Sequence, residues 1–124
     1  MQTITVGAAQ IITVGASETE NYGGSHSQSV GGKQTISVAS NRRLQVGDNR
    51  ATEVANDDSL KVGKHLTVEA GEEIVLKAGD ASLTLKKDGT VLLTGKDITV
   101  NASGEITTKA SKNITMKGQK ILQN

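Results

Sequence analysis

The tetrapeptide Ile-Thr-Val-Gly occurs twice in ITVGAAQIITVG, residues 4–15, and the two copies are eight residues apart. Side chains alternate with a period of about two along a strand and recur about every 3.6 residues along a helix. An eight-residue period matches neither, so it describes a unit longer than one local hydrogen-bonding cycle. Fixed periods of this kind are typical of repeat architectures, in which each copy is one structural unit stacked on the next.

The eight-residue register continues without a slip from residue 4 to residue 78. Its first series comprises Val6, Val14, Tyr22, Val30, Val38, Val46, Val54, Val62, Ala70 and Ala78. A second series lies two residues earlier in each repeat and comprises Ile4, Ile12, Glu20, Gln28, Ile36, Leu44, Thr52, Leu60, Val68 and Leu76. A spacing of two places both series on the same face of a strand. Each octad is therefore expected to be a short strand with two inward side chains.

A corner is expected after each of these strands. The residue that follows the first series is Gly at positions 7, 15, 23, 31, 47, 63, 71 and 79, and Ala at positions 39 and 55. Gly accepts positive φ and lets the backbone approach a neighbour closely, which suits a corner. If each octad forms one side of a polygon, three octads complete one turn of a triangular coil.

The largest irregularity is ASLTLKKDGTVLLTG, residues 81–95. We interpret it as a locally phase-shifted pair of strands with a turn at KKDG, because Asp-Gly favours tight turns. The octad phase is restored in residues 96–124, where Ile98, Ile106 and Ile114 are eight residues apart. A separate hairpin domain is the alternative, which the preserved register on both sides disfavours. The sequence therefore predicts one domain over residues 1–124, with octads in 1–80 before the shifted strands.

The composition indicates a fold that depends on backbone pairing around a thin aliphatic core. There is one Tyr and no Phe, Trp, Cys or Pro in 124 residues. Pro removes a ladder donor, so a chain that needs nearly every backbone N–H paired excludes it. The net charge of +1 comes from interspersed Lys, Arg, Asp and Glu, which argues against nucleic-acid binding through phosphates. The sequence shows no secretory signal and no apolar run of the roughly 20 residues that span a bilayer.

Periodicity alone leaves open whether one chain or three chains build the triangle. One chain of about 15 octads would wind about five coils and give a stub of roughly 25 Å, at about 4.8 Å between strands. Three interleaved chains would give a rod of roughly 70 Å. A lone solenoid normally closes its ends with atypical caps, and the sequence shows no capping helix or aromatic plug. We therefore predict an all-β fold, an intertwined homotrimeric triple-stranded β-helix that forms a triangular prism from octad repeats.

The octads resemble those of a known family. Segments such as ISVASNRRLQVGDNRATEV and LKVGKHLTVEAGEEIVLKAGDASLTL, with the ending KKDGTVLLTGKDITVNASGEITTKASKNITMKGQKILQN, resemble the C-terminal β-helical needle of VgrG spike proteins from type VI secretion systems. The same features are similar to the C-terminal β-helix of the central spike of contractile phages. The resemblance covers essentially the whole chain.

The resemblance implies a mechanical function. Such a needle is an intertwined homotrimer that pierces membranes when sheath contraction propels it outward, and its contact with the target membrane is transient. It carries a PAAR-repeat protein at its C-terminal end, and base domains upstream of the needle dock on the Hcp tube. We therefore expect this chain to be a fragment of a longer spike protein. We expect that protein in the bacterial cytoplasm before firing, and afterwards in the extracellular space or a target cell.

Two groups of residues are predicted to make contacts in such an assembly. The predicted core of the trimeric helix consists of Ile4, Val6, Ile12, Val14, Val30, Ile36, Val38, Leu44, Val46, Leu60, Val62, Val68, Leu76, Ile98, Val100, Ile106, Ile114 and Met116. The predicted surface for the tip protein consists of Gln119, Lys120, Ile121, Leu122, Gln123 and Asn124. Ile121 and Leu122 would otherwise face water, next to the unpaired edges of the last strands.

We expect no enzymatic activity, no catalytic residues, no metal site and no cofactor. His26 lies among serines in GSHSQS, but adjacent side chains on a strand point apart and no carboxylate is fixed beside it. His65 follows a corner, where a solvated side chain is expected. Phage spikes that hold a metal at the tip use a His-x-His pair, which this sequence lacks near its C-terminus. Rings of Glu20 or His26 on a threefold axis are the alternative ion site.

The alternative function is a binding module, the stalk or head of a trimeric surface adhesin with a comparable β-roll. Adhesins usually bring a coiled-coil stalk and a membrane anchor, and this sequence shows neither a heptad repeat nor an anchor. The least regular part of the octad region is residues 17–29, where Glu20 and Gln28 stand at aliphatic positions. If they point inward, they need water, ions or one another as partners.

Overall fold

The computed structural model describes residues 3–123, and no helix occurs in that range. Its strands are β1 (Glu73–Ala78), β2 (Ala81–Lys86) and β3 (Val91–Thr94). The all-β fold predicted from the octads is thereby confirmed for the described residues. Accordingly, residues 3–123 include no helix with the length and apolar character that a membrane crossing requires.

The backbone bends once in every octad. The bent pairs of residues are 7–8, 15–16, 23–24, 31–32, 39–40, 47–48, 55–56, 63–64 and 71–72 before the sheet, and 96–97, 103–104 and 111–112 after it. Each pair before the sheet begins with the Gly or Ala that follows the first series, so the corners lie where the sequence predicts them. The bend at 96–97 lies one residue late, but from residue 103 onward the bends have the phase of those before the sheet, because residue 103 follows residue 71 by four octads.

The three strands form one antiparallel sheet in the order β1-β2-β3. Its apolar cross-strand pairs are Ile74↔Leu85, Leu76↔Leu83, Leu83↔Leu93 and Leu85↔Val91. The sequence predicts two shifted strands within residues 81–95, and β2 and β3 lie there. The octad pattern does not predict that β1 pairs with β2, because β1 itself keeps the octad phase at Leu76 and Ala78.

Both turns of this sheet contain a glycine with positive φ. Gly79 has a φ of 56° and is the first residue of the two-residue loop between β1 and β2, as in a type II′ turn. Gly89 has a φ of 88°, and its N–H donates to the carbonyl oxygen of Lys86 at 3.1 Å. The Lys86 N–H donates to the carbonyl oxygen of Thr90 at 3.0 Å, which closes a three-residue loop with a glycine bulge. KKDG is therefore a tight turn, as Asp-Gly predicts.

The other corner glycines do not have positive φ. Among residues 3–123 that angle is positive only at Gly79 and Gly89, so the other octad corners do not use the positive φ that Gly accepts. A Cβ atom built on Gly47 would meet no atom of the same chain within 4 Å. The corner backbone therefore suits an ordinary L-residue, which agrees with the presence of Ala39 and Ala55 at equivalent corners.

The chain divides into two units, Met1–Glu53 and Val54–Asn124. Octad segments make up the first unit, whereas the second contains octad segments and the three-stranded sheet. The division does not test the prediction of one domain over residues 1–124, which stays a prediction.

Candidate trimerisation surface

The most informative property of the chain is how little of it is covered. The described residues include no buried side chain, either apolar or polar. The chain exposes 13784 Å² of accessible surface. A folded monomer of 12.9 kDa would expose about 6,300 Å², and an unfolded chain of that mass about 18,700 Å². One chain therefore buries too little surface to be stable by itself, and its stability has to come from contacts with other chains.

The valines of the first series all have nearly the same environment. Their exposed fractions lie between 44% and 48% at Val6, Val14, Val30, Val38, Val46, Val54 and Val62. Such uniformity means that the local environment of these valines repeats with the octad; the series is here called the valine row. An apolar row of this regularity that stays half exposed is a surface for association.

The second series is more exposed than the first. The exposed fraction is 58% to 75% at Ile4, Ile12, Ile36, Leu44, Leu60, Val68 and Leu76. After the sheet, the bulky residues occupy different places in the octad: Ile98, Ile106 and Ile114 are 53% to 56% exposed, and Val100 and Met116 about 70%. All residues of the predicted core are thus uncovered in the single chain. Their burial depends on other chains, so their place in the trimer interior stays a prediction.

The backbone of the octad segments also lacks partners within the chain. In residues 3–123 the backbone hydrogen bonds lie inside the sheet and at its turns. Backbone N–H and C=O groups require partners, and an unpaired edge pairs readily with another chain. Strands from other chains, interleaved between those of this one, would supply these partners together with the missing apolar contacts.

Glu20, in the irregular segment 17–29, has a local hydrogen-bond partner. The Tyr22 hydroxyl donates to Oε2 of Glu20 at 2.7 Å, and the Tyr22 ring centroid lies 4.1 Å from that of His26. The hydrogen bond to Glu20 is the main reason that the pKa of Tyr22 is raised above its ordinary value of 10.0. This pairing was not predicted from the sequence, although residues two apart on a strand share a face.

Two further side-chain hydrogen bonds have the same spacing. Nη2 of Arg43 donates to Oε1 of Gln45 at 3.1 Å, and Oγ1 of Thr107 donates to Oε1 of Glu105 at 2.9 Å. Each pair consists of residues i and i+2, and all four side chains are exposed. Such bonds fit extended backbone with a solvated polar face.

A charged cluster lies where the β2–β3 turn meets the start of β1. Nζ of Lys87 lies 2.9 Å from Oε2 of Glu72, and the Lys87 backbone N–H donates to the Glu72 carbonyl oxygen at 3.0 Å. The Thr90 N–H donates to Oδ1 of Asp88 at 2.9 Å. This bond is the main reason that the pKa of Asp88 is lowered from its ordinary value of 3.8. The cluster ties the turn to β1, and no signal in the sequence links Glu72 to a lysine 15 residues away.

The described residues do not bring together a set of side chains suited to hold a metal ion: no group of three or more His, Asp and Glu side chains has that arrangement there. His65 is exposed, and His26 is exposed against Tyr22. The expectation that the chain has no catalytic residue and no metal site stays a prediction.

The residues predicted to bind a tip protein follow the last octad bends. Ile121 is 56% exposed and Leu122 is 81% exposed, so both apolar side chains are open to a partner. Gln119, Lys120 and Gln123 are exposed as well. Asn124 lies outside the described residues.

Comparison with known proteins agrees with this geometry. The search of curated proteins finds no match. The sequence model of the family described as "Bacteriophage T4 gp5 C-terminal trimerisation domain" matches residues 1–76, which is more than half of the chain. The family is a trimerisation domain of a phage central spike. Membership explains why the apolar side chains are exposed in a single chain, because two further copies would cover them. The homotrimeric β-helix predicted from the octads is therefore confirmed, and the chain belongs to the family of the bacteriophage T4 gp5 C-terminal trimerisation domain.

Proposed function

We propose that this chain is the β-helical needle of a VgrG-type spike protein in a type VI secretion system. The observation that carries the proposal is the agreement between the octad corners, which run from residue 7 to residue 112, and the family match to a phage spike domain. A phage spike points to a puncturing function in general. The more specific assignment to type VI secretion is supported by the resemblance of residues 86–124, which lie beyond the family match, to the end of VgrG chains.

A trimeric β-helix of octads has the mechanical properties that puncture requires. Strands that run across the axis direct their ladder hydrogen bonds along it, so an axial thrust loads many bonds in parallel. Three copies of the valine row would fill the interior, and each buried Å² of apolar surface contributes about 25 cal/mol. Closing the sheet between chains also removes the exposed edges through which ordinary strands aggregate.

The proposed partners follow from the same assignment. A PAAR-repeat protein binds the C-terminal end at Ile121 and Leu122, whose exposed side chains would be covered by it. The Hcp tube binds base domains of the longer spike protein, and the target membrane is contacted only during puncture. The protein resides in the bacterial cytoplasm before firing and is secreted afterwards. No enzymatic step is proposed, since the function is mechanical.

A binding assay with the purified trimer tests the tip. Leu122→Asp is expected to abolish capture of a PAAR-repeat protein encoded beside the spike gene, because a carboxylate would be buried without a partner. Thr115→Asp is the matched control: it adds the same charge nearby, on the opposite strand face from the predicted core residues Ile114 and Met116. If both variants capture the tip protein as well as the parent chain does, the tip proposal is wrong.

A secretion assay tests the assignment to a type VI secretion system. Deleting the gene of the full spike protein is expected to stop export of the Hcp tube protein into the medium, and the parent gene is expected to restore it. Unchanged Hcp export in a strain with no second spike gene would contradict the assignment to type VI secretion. It would leave the phage-like spike and the adhesin as the remaining functions.

A further inference from the structure

The three-stranded sheet has one face without any charge. With a side-chain period of two and the observed register, that face, here called the apolar sheet face, consists of Ile74, Leu76, Ala78, Ala81, Leu83, Leu85, Val91 and Leu93. The opposite face carries Glu73, Lys77 and Lys86, with Val75, Ser82, Thr84, Leu92 and Thr94. The sheet is therefore amphipathic, and only the face that carries the charged residues is suited to contact with solvent.

Nothing in the chain covers the apolar sheet face. Leu76, Val91 and Leu93 are 59% to 63% exposed, and Leu85 is 38% exposed. A sheet with one solvated and one apolar face is stable only when the apolar face is packed against another layer.

The apolar sheet face is continuous with the trimer interface. Leu76 belongs both to this face and to the second octad series, and the family match to a trimerisation domain extends to residue 76, inside β1. On the other side of the sheet, the octad bends resume in their original phase at residues 103–104. The sheet thus interrupts an octad pattern that is present on both sides of it.

We propose that the apolar sheet faces of three copies of this chain pack against one another around the threefold axis. Each chain then contributes one complete antiparallel sheet as one side of the prism, and each strand of Glu73–Thr94 pairs inside its own chain. In the octads, by contrast, each chain passes to the next side at every corner, and pairing is between chains.

The number of strands is the same in both arrangements. Three octads carry one chain once around the axis, so three chains place three strands on each side. The sheet occupies the interval between the bends at 71–72 and 96–97, which is about three octads long. In the proposed arrangement the sheet of each chain likewise places three strands on one side of the prism. Because the counts agree, the prism continues through the sheet with the same height, and the corner phase is recovered beyond it.

Cysteine cross-linking tests the proposal, because the chain has no cysteine of its own. Leu83 and Thr84 are neighbours on the central strand β2, both half-buried, and their side chains point to opposite faces. Leu83→Cys would place three thiols around the axis, where one disulfide forms per trimer. After mild oxidation, about two thirds of its chains are expected as linked dimers on a denaturing gel.

Thr84→Cys is the matched control, and its chains are expected to remain monomeric on the same gel. In the native trimer, a bulky maleimide is expected to label Thr84→Cys rapidly and to leave reduced Leu83→Cys protected. If Leu83→Cys destroys the trimer, Ala81→Cys on the same face replaces it, since Ala and Cys are close in size.

Two results would overturn the proposal. A thiol on the apolar sheet face that reacts rapidly in the intact trimer would show that the face is open. A thiol that is protected but cross-links neither by oxidation nor with a short bis-maleimide would show that the three copies do not meet at this face. The proposal depends on the trimer and not on secretion, so the assays of the two proposals fail independently.

Discussion

Gly79 and Gly89 have positive φ whereas Gly47 does not, and that difference separates two uses of glycine in this chain. Positive φ at Gly79 and Gly89 turns the chain back on itself within the sheet. At Gly47 the backbone suits any L-residue, and no atom of the same chain lies near its missing Cβ. If that corner requires Gly, the reason is close packing against another copy.

We predict that Gly79→Ala destabilises the trimer. An L-residue in the left-handed region costs about 1 to 2 kcal/mol per residue, so the free energy of unfolding should fall by that amount per chain. Chemical unfolding followed by circular dichroism measures the change.

The matched control is Gly47→Ala. We expect a change within about 0.5 kcal/mol, because Ala39 and Ala55 already occupy equivalent corners. A loss as large as that of Gly79→Ala would show instead that another chain lies against this corner.

We predict that the carboxyl group of Asp88 titrates below pH 3.8. Its Oδ1 accepts a hydrogen bond from the Thr90 N–H, and this bond favours the charged form and lowers the pKa. The folded pKa lies below the unfolded value, so the bond stabilises the turn above pH 3.8 and is lost as the pH falls through the folded pKa.

The Thr90 amide proton is the reporter in an NMR titration. Its chemical shift is expected to follow the protonation of Asp88, with a midpoint below 3.8. Asp88→Asn should remove this transition. A midpoint at or above 3.8 would mean that the hydrogen bond does not form in solution.

At the scale of elements, the ion pair between Lys87 and Glu72 joins a turn to the start of β1, and we predict that it contributes little. The two side chains are 64% and 79% exposed, and exposed pairs are worth about 0.2 to 1 kcal/mol. Glu72→Gln should lower the free energy of unfolding by no more than that. Because exposed charges are screened, the difference from the parent should shrink in 1 M salt. A loss that persists at high salt would point to buried contacts of Glu72 in the trimer.

The sequence predicted the β2–β3 hairpin because Asp-Gly carries a local turn signal. It did not predict that β1 joins the same sheet. The Gly79-Asp80 pair follows a strand that keeps the octad phase, so the periodic pattern and the turn chemistry conflict there. The pairing Leu76↔Leu83 resolves the conflict in favour of the turn. The hydrogen bond between Tyr22 and Glu20 was missed for another reason, since the octad template treats both positions as aliphatic.

At the scale of the whole molecule, the trimer could be predicted because an eight-residue period requires a polygon and the composition is too poor in aromatic residues for a compact monomer. The absence of capping elements favoured three chains over one, and the family match confirmed that choice. The tip partner had no comparable signal. Ile121 and Leu122 are exposed in the same way as the valine row, so exposure alone does not say what covers them.

We predict that Val38→Asp abolishes the trimer at micromolar concentration. Three carboxylates would be brought close together in an apolar interior, which is strongly unfavourable without partners. Light scattering of the purified chain measures the mass. Ser37→Asp is the control with the same charge on the neighbouring, oppositely directed residue, and it should stay trimeric. A trimer of unchanged thermal stability with Val38→Asp would remove the valine row from the interior.

The sheet Glu73–Thr94 also bears on how three identical repetitive chains find their alignment. If one chain slides by a single octad, almost every valine meets another valine, so the misaligned trimer loses little. The sheet is a segment that cannot be matched by a neighbouring octad. If one chain were shifted, its three-stranded sheet would lie beside octad strands of the other two chains. Backbone hydrogen-bonding groups of both would then be left without partners. Errors in the register of the three chains should therefore be corrected at this segment, and its correct pairing then sets the register of the octads on both sides.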